Sequence, residues 1–167
     1  MRTERSGAAL ALAIAAWPAA APATTTCSSS NVALSFGPYL SITAAPLDAQ
    51  ANLVVTCTRT VSPPADVGPA RTTISVALGP SQGSNSIQNR QMFRAGGADL
   101  LNYNVYLDAG RISVWGNTTG VDTATNTVNV PNRGTASTTF TFYGRIFALQ
   151  NVTPGTYGDS LLITVNY

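Results

Sequence analysis

Short stretches of alternating apolar and polar residues recur along this chain, and no 11-residue window carries a convincing 3.6-residue period. Side chains alternate faces along a strand, so the period-2 pattern predicts half-buried β-strands throughout. The clearest example closes the sequence: Leu161, Ile163, Val165 and Tyr167 fall on one face, with Leu162, Thr164 and Asn166 on the other. Val32–Phe36 reads as a first strand, stopped by Gly37-Pro38. Leu53, Val55 and Cys57 share a face in a second, and Ile74, Val76 and Leu78 in a third that ends at Gly79-Pro80. Leu101, Tyr103, Val105 and Leu107 line a fourth, with Asn102, Asn104 and Tyr106 opposite. Asp108-Ala109-Gly110 is read as a tight turn, with Gly110 as the left-handed residue, and Ile112–Trp115 as the returning fifth strand. Phe140 and Phe142 share a face in a later one. Residues 60–71, 79–97 and 116–132 read as long loops, the last with a short edge strand at Val128 and Val130. Six or seven short strands with Gly/Pro punctuation predict an all-β antiparallel sandwich in one domain.

The strongest strand thus lies at the end of the sequence. A strand needs neighbours on both sides or some protection of its free edge. What covers that edge is the main question the pattern raises, and another protein is the expected answer. The alternative is that Leu161, Ile163, Val165 and Tyr167 are ordinary core of a complete sandwich.

The N-terminus follows a different pattern. Arg2 and Arg5 precede the apolar run Ala8–Ala16, and Ala21-Pro22-Ala23 gives a small-x-small cleavage site. This predicts an export signal over residues 1–23, leaving residues 24–167 as the mature domain. The run is far shorter than the roughly 20 residues that span a bilayer, so no membrane span is expected. Export suits the two cysteines, Cys27 and Cys57, which are expected to form one disulfide. It would close a loop of about 30 residues, worth roughly 3–4 kcal/mol in chain-entropy terms. A lipid anchor on Cys27 is disfavoured by the Thr24-Thr25-Thr26 that precedes it.

Charge narrows the function. The chain has no histidine and no lysine, its only glutamate is Glu4, and its net charge is +2. That is no footprint for nucleic acid. General acid–base chemistry near neutral pH relies on His, Glu, Lys or a tuned Asp, so no catalytic, cofactor-binding or metal-binding residue is named. Asp99, Asp108, Asp122 and Asp159 invite a paired-carboxylate reading, but no acid–base partner accompanies them. Arg90, Arg94, Arg111 and Arg145 read as surface or motif-supporting ion pairs with Asp. Tyr103, Tyr106, Trp115 and Tyr143 could stack on sugars but are more simply core or cross-strand pairs, with Tyr106 the best candidate for exposure. Asn117-Thr-Thr and Asn151-Val-Thr match the glycosylation pattern and are read as ordinary loop residues.

Several motifs occur together in a particular order: Cys27 followed by Phe36-Gly37; Val55-Thr56-Cys57; Asn89-Arg90-Gln91-Met92; and Asn102-Tyr103-Asn104-Val105-Tyr106. Trp115-Gly116, Tyr143-Gly144-Arg145 and Pro154-Gly155-Thr156-Tyr157-Gly158-Asp159 complete the set. Taken together they resemble the spore coat protein U domain family, which includes subunits of archaic, Csu-type chaperone–usher pili. The resemblance implies an immunoglobulin-like sandwich that lacks its final strand. It implies three partners: a periplasmic pilus chaperone that fills the gap, an outer-membrane usher, and a neighbouring pilin subunit whose strand replaces the chaperone's. Leu161, Ile163, Val165 and Tyr167 are then the expected chaperone and donor-strand contacts. The expected location is the periplasm and then the cell surface, in a pilus, or secretion, with adhesion or biofilm as the role. The few residues between the expected cleavage site and Cys27 suggest a subunit that accepts a strand without donating one. The alternative is a stand-alone envelope or coat module that recognises a sugar or surface polymer.

Overall fold

The computed structural model describes residues 23–60 and 68–167, so the expected export signal lies outside the described residues but for Ala23. Nine strands appear and no helix among the described residues: β1 (Thr24–Ser29), β2 (Leu47–Thr60), β3 (Ala70–Leu78), β4 (Arg90–Arg94), β5 (Leu100–Tyr106), β6 (Ala124–Val130), β7 (Thr135–Ile146), β8 (Tyr157–Gly158) and β9 (Ile163–Asn166). Every pairing is antiparallel. One sheet has six strands in the order β1-β2-β7-β5-β4-β8; the other has three, β6-β3-β9. This is the expected all-β, immunoglobulin-like antiparallel sandwich.

Alternation explains the core. Leu53, Val55 and Cys57 of β2 point inward, while Val54 and Thr58 point out. Phe140, Phe142 and Ile146 of β7 do the same in register with β2, Leu53 opposite Phe140 and Leu47 opposite Ile146. From the second sheet Ile74, Val76, Leu78 and Val130 close the space. Trp115 fills its centre, stacked on Phe142 with ring centroids 4.5 Å apart and donating its indole N–H to the Val76 carbonyl. Cys27 and Cys57 sit directly opposite each other on β1 and β2 and are joined by a disulfide.

Six local expectations are corrected. Val32–Phe36 is not a strand of either sheet. It runs without a ladder partner while Val32, Leu34 and Phe36 still pack against the core, because alternation reports which side chains are buried and not whether the main chain is paired. The first strand is instead Thr24–Ser29. The expected loop 79–97 contains β4. Ile112–Trp115 returns beside β5 by a single bridge, Val114 to Tyr106, and leaves Ile112 83 % exposed. The residue that takes the left-handed conformation in that turn is Arg111 (φ 57°), not Gly110. The Asp108 carboxylate closes the turn by accepting the N–H groups of Ile112 and Ser113. The expected loop 116–132 holds β6 from Ala124 onward, so the edge strand around Val128 and Val130 is present and longer than expected. Of the loop expected at 60–71, Thr60 belongs to β2 and Ala70 and Arg71 to β3, and residues 61–67 lie outside the described residues.

Candidate strand-acceptor groove

β9 is held on one edge only. It pairs with β3 from Leu78–Ile163 to Ser75–Asn166, and the Gly79 N–H extends the ladder to the Leu162 carbonyl. Its other edge has no main-chain partner among the described residues. Leu161 and Ile163 turn inward beside that edge, and Leu162 is 73 % exposed on the outer face.

Next to the open edge lies a groove of about 1100 Å³. Its floor is the inner face of the larger sheet: Met92 of β4, Leu101, Tyr103 and Val105 of β5, and Phe142 and Ile146 of β7. One wall is Leu161 and Ile163, and the other is the unpaired stretch 32–42. That stretch is seated by a missing side chain. A Cβ on Gly144 would come within 2.6 Å of both Leu34 Cδ2 and Phe36 Cζ, so the bare backbone of β7 makes room for these two residues. Phe36 meets Tyr103 edge to face, centroids 6.1 Å apart. Farther along, the Gln150 N–H donates to the Tyr39 hydroxyl (2.7 Å), tying the stretch to the β7–β8 connection.

One end of the groove is polar. The Tyr103 hydroxyl donates to Asp159 Oδ2 (2.6 Å), and Asp159 Oδ1 accepts from the N–H groups of Ser160 and Gln82. Burial, reinforced by the Asp159 carboxylate, pushes the Tyr103 phenol up from its ordinary value, so it stays a donor. Behind the floor lies Arg90, fully buried. Contrary to expectation it forms no ion pair with Asp among the described residues, but donates to the carbonyls of Leu78, Gly79 and Trp115 and to Asn104 Oδ1. It thereby fixes the end of β3, the strand that carries β9.

Of the expected contact residues, the structure places Leu161 and Ile163 in the groove wall. Val165 packs against the core away from the groove lining, and Tyr167 is 57 % exposed. The stretch 32–42 and Gly144 were not anticipated as parts of the site. The alternation of Val32, Leu34 and Phe36 was visible, but nothing in the sequence placed it across from β9. The other arginines do pair with Asp: Arg94 with Asp99, and both Arg111 and Arg145 with Asp48. Tyr106, expected to be exposed, is buried, as the turn after β5 folds back over it. Asp108 and Asp122 are occupied with main-chain N–H groups of their own turns. Among the described residues no three His, Cys, Asp or Glu side chains come together to hold a metal.

An antiparallel sandwich with an apolar groove along a strand that is paired on one edge only, among the described residues, defines the architecture. The chain belongs to the Spore Coat Protein U domain family, which it matches over residues 13–164. That match begins inside the stretch expected as the export signal. Protein U of Myxococcus xanthus is 31% identical over 96 residues, 57% of this chain and 50% of that protein, so the chain spans about half the length of this curated relative. Among solved structures, the CsuC–CsuE chaperone–tip adhesion subunit pre-assembly complex from archaic chaperone–usher Csu pili of Acinetobacter baumannii overlays 87% of this chain and 40% of that one, at TM-score 0.49 and 19% identity. A chaperone–tip adhesin complex of CFA/I fimbriae biogenesis overlays 81% of this chain and 42% of that one, at TM-score 0.30 and 10% identity.

Proposed function

We propose that this protein is an exported subunit of a chaperone–usher fibre, and that its groove receives a β-strand from a partner. The observation that carries the reading is the unpaired edge of β9 beside the open apolar groove. A strand laid there gains main-chain hydrogen bonds from β9, and its alternate side chains reach the floor. The family resemblance supports a periplasmic chaperone as the first donor and a neighbouring subunit, delivered at an outer-membrane usher, as the second. Adhesion or biofilm formation at the cell surface is the role such a fibre serves. The reading assigns no catalysis.

The test is complementation. An exposed apolar groove along a free strand edge is a template for aggregation. The chain expressed alone should therefore be poorly soluble, and a cognate chaperone or a fused donor peptide of alternating apolar residues should recover it. Ile163→Asp should abolish the recovery by placing an uncompensated charge in the groove wall. Leu162→Asp, on the exposed face of the same strand, should leave it intact. A soluble, stable monomer that ignores donor peptides would show instead a sandwich that needs no partner.

A further inference from the structure

The inner row of the terminal strand does not begin with an apolar residue. Ser160 and Leu162 are exposed, whereas Asp159, Leu161 and Ile163 are half-buried and line the groove. Side chains two apart on an extended chain share a face, so Asp159 is the first member of the row that forms the groove wall. It is also the one charged side chain among the described residues that line the groove.

This carboxylate is fixed in place, but its charge is not matched. Oδ2 accepts from the Tyr103 hydroxyl (2.6 Å), and Oδ1 accepts from the N–H groups of Ser160 (2.8 Å) and Gln82 (3.2 Å). All three donors are neutral. A carboxylate has about four acceptor positions, so one remains on Oδ2. Among the described residues the ion pairs are Arg94–Asp99, Arg111–Asp48 and Arg145–Asp48, and none includes Asp159. Arg90 attracts it from behind the floor, but directs its donors to the carbonyls of Leu78, Gly79 and Trp115 and to Asn104.

A strand seated in the groove would cover Asp159 and take it out of water. An apolar side chain set against it would remove that water and return nothing, and a second carboxylate would add repulsion. A lysine or arginine would supply both the missing hydrogen bond and the opposite charge, in surroundings where such a bond is stronger than in water. The rest of the groove, with Met92, Leu101, Val105, Ile146 and Leu161, calls for apolar partners. Resting on the strand-acceptor reading, we propose that Asp159 is a specificity-determining residue that pairs with a Lys or Arg side chain of the inserted strand and so sets its register. A slip by one residue would turn that cation out of the groove, because the side-chain period of a strand is two. A slip by two would set it against the apolar part of the wall.

The test is a competition measurement. The protein is kept soluble by a fluorescent donor peptide of alternating apolar residues, and unlabelled peptides displace it. In these, lysine replaces each groove-facing residue in turn. One placement should bind roughly tenfold more tightly than the all-apolar parent, the scale of a charge-assisted hydrogen bond. Glutamate at the same place should bind more weakly than the parent, and added salt should shrink the lysine gain. In Asp159→Asn the side-chain carbonyl can still accept from Ser160 and Gln82, and the amide can donate to the Tyr103 hydroxyl oxygen. That variant should bind the parent at least as well as the wild type does and lose the preference for lysine. Should it fail to fold, the opposite effects of lysine and glutamate on the wild type decide. Binding of the parent with no lysine placement favoured overturns this inference and leaves the strand-acceptor reading standing. A lysine preference that persists in Asp159→Asn also overturns it, and if no peptide binds, both fall.

Discussion

Arg90 shows what one buried side chain does for this fold. Desolvation pulls its guanidinium down to about 10, so it remains charged at neutral pH inside the protein. No carboxylate pairs with it among the described residues. Its charge is met by the carbonyls of Leu78, Gly79 and Trp115 and by Asn104, whose amide in turn donates to Ile87 and Gln88. Arg90→Met should leave those carbonyls dry and cost about 3 kcal/mol or more, read by urea unfolding. Arg90→Lys should recover only part of this, since an ammonium cannot spread over the same acceptors. A loss below about 1 kcal/mol for both would show that water replaces the guanidinium. Asp48 sets a pH dependence. Its bidentate bond to Arg145, with Arg111 also close, holds its carboxyl below the ordinary value. A carboxyl lowered in the folded state stabilises above its unfolded value and ceases to as pH falls through its folded one. The unfolding temperature should therefore drop as pH falls below the ordinary carboxyl value of about 4, and Asp48→Asn should flatten part of that drop.

Between elements, the groove depends on how stretch 32–42 sits on β7. It lies there by side-chain packing over Gly144 and by the Tyr39–Gln150 hydrogen bond, not by a ladder. Gly144→Ala should push Leu34 and Phe36 outward and cost about 1–3 kcal/mol as an overpacked site. It should also weaken donor-peptide binding, because the displaced stretch is one wall of the groove. Thermal unfolding and peptide titration on the same variant check both. β1 depends on a different tie. Among the described residues its outer edge has no partner strand and its residues are mainly Thr and Ser, so its anchors are the ladder to β2 and the Cys27–Cys57 bond. Intact-mass analysis of unreduced protein should find no free thiol. After reduction, hydrogen exchange should rise first at residues 24–29, since a paired edge strand with few apolar contacts opens most easily.

Across the whole molecule, partners are joined over long stretches of chain: Asp48 meets Arg145 at a separation of 97 positions, and Gln150 meets Tyr39 at 111. Such topologies fold slowly, in milliseconds to seconds, with strand edges exposed meanwhile. Here the edge of β9 beside the groove stays open after folding, among the described residues. A partner that binds only the folded chain stabilises it by mass action. The unfolding temperature should therefore rise with donor-peptide concentration in the wild type, and stay flat in Ile163→Asp.

The sequence by itself determined the all-β class, the inward faces of β2, β3, β5 and β7, the pair of cysteines, and the apolar face of the terminal strand. These are local properties: period-2 alternation decides which side chains are buried, whatever the strand is paired with. Only the tertiary structure decided which runs of alternation are true strands, since Val32–Phe36 alternates unpaired while Thr24–Ser29 pairs without a strong apolar pattern. It also decided that Arg90 is core, that Tyr106 is covered, and that Gly144 serves to seat Leu34 and Phe36. Each of these depends on a neighbour distant in the chain. The open edge of β9 is of the same kind. A strand's hydrophobicity is written in its own residues, but whether its hydrogen-bonding edge is occupied depends on every other strand in the sheet.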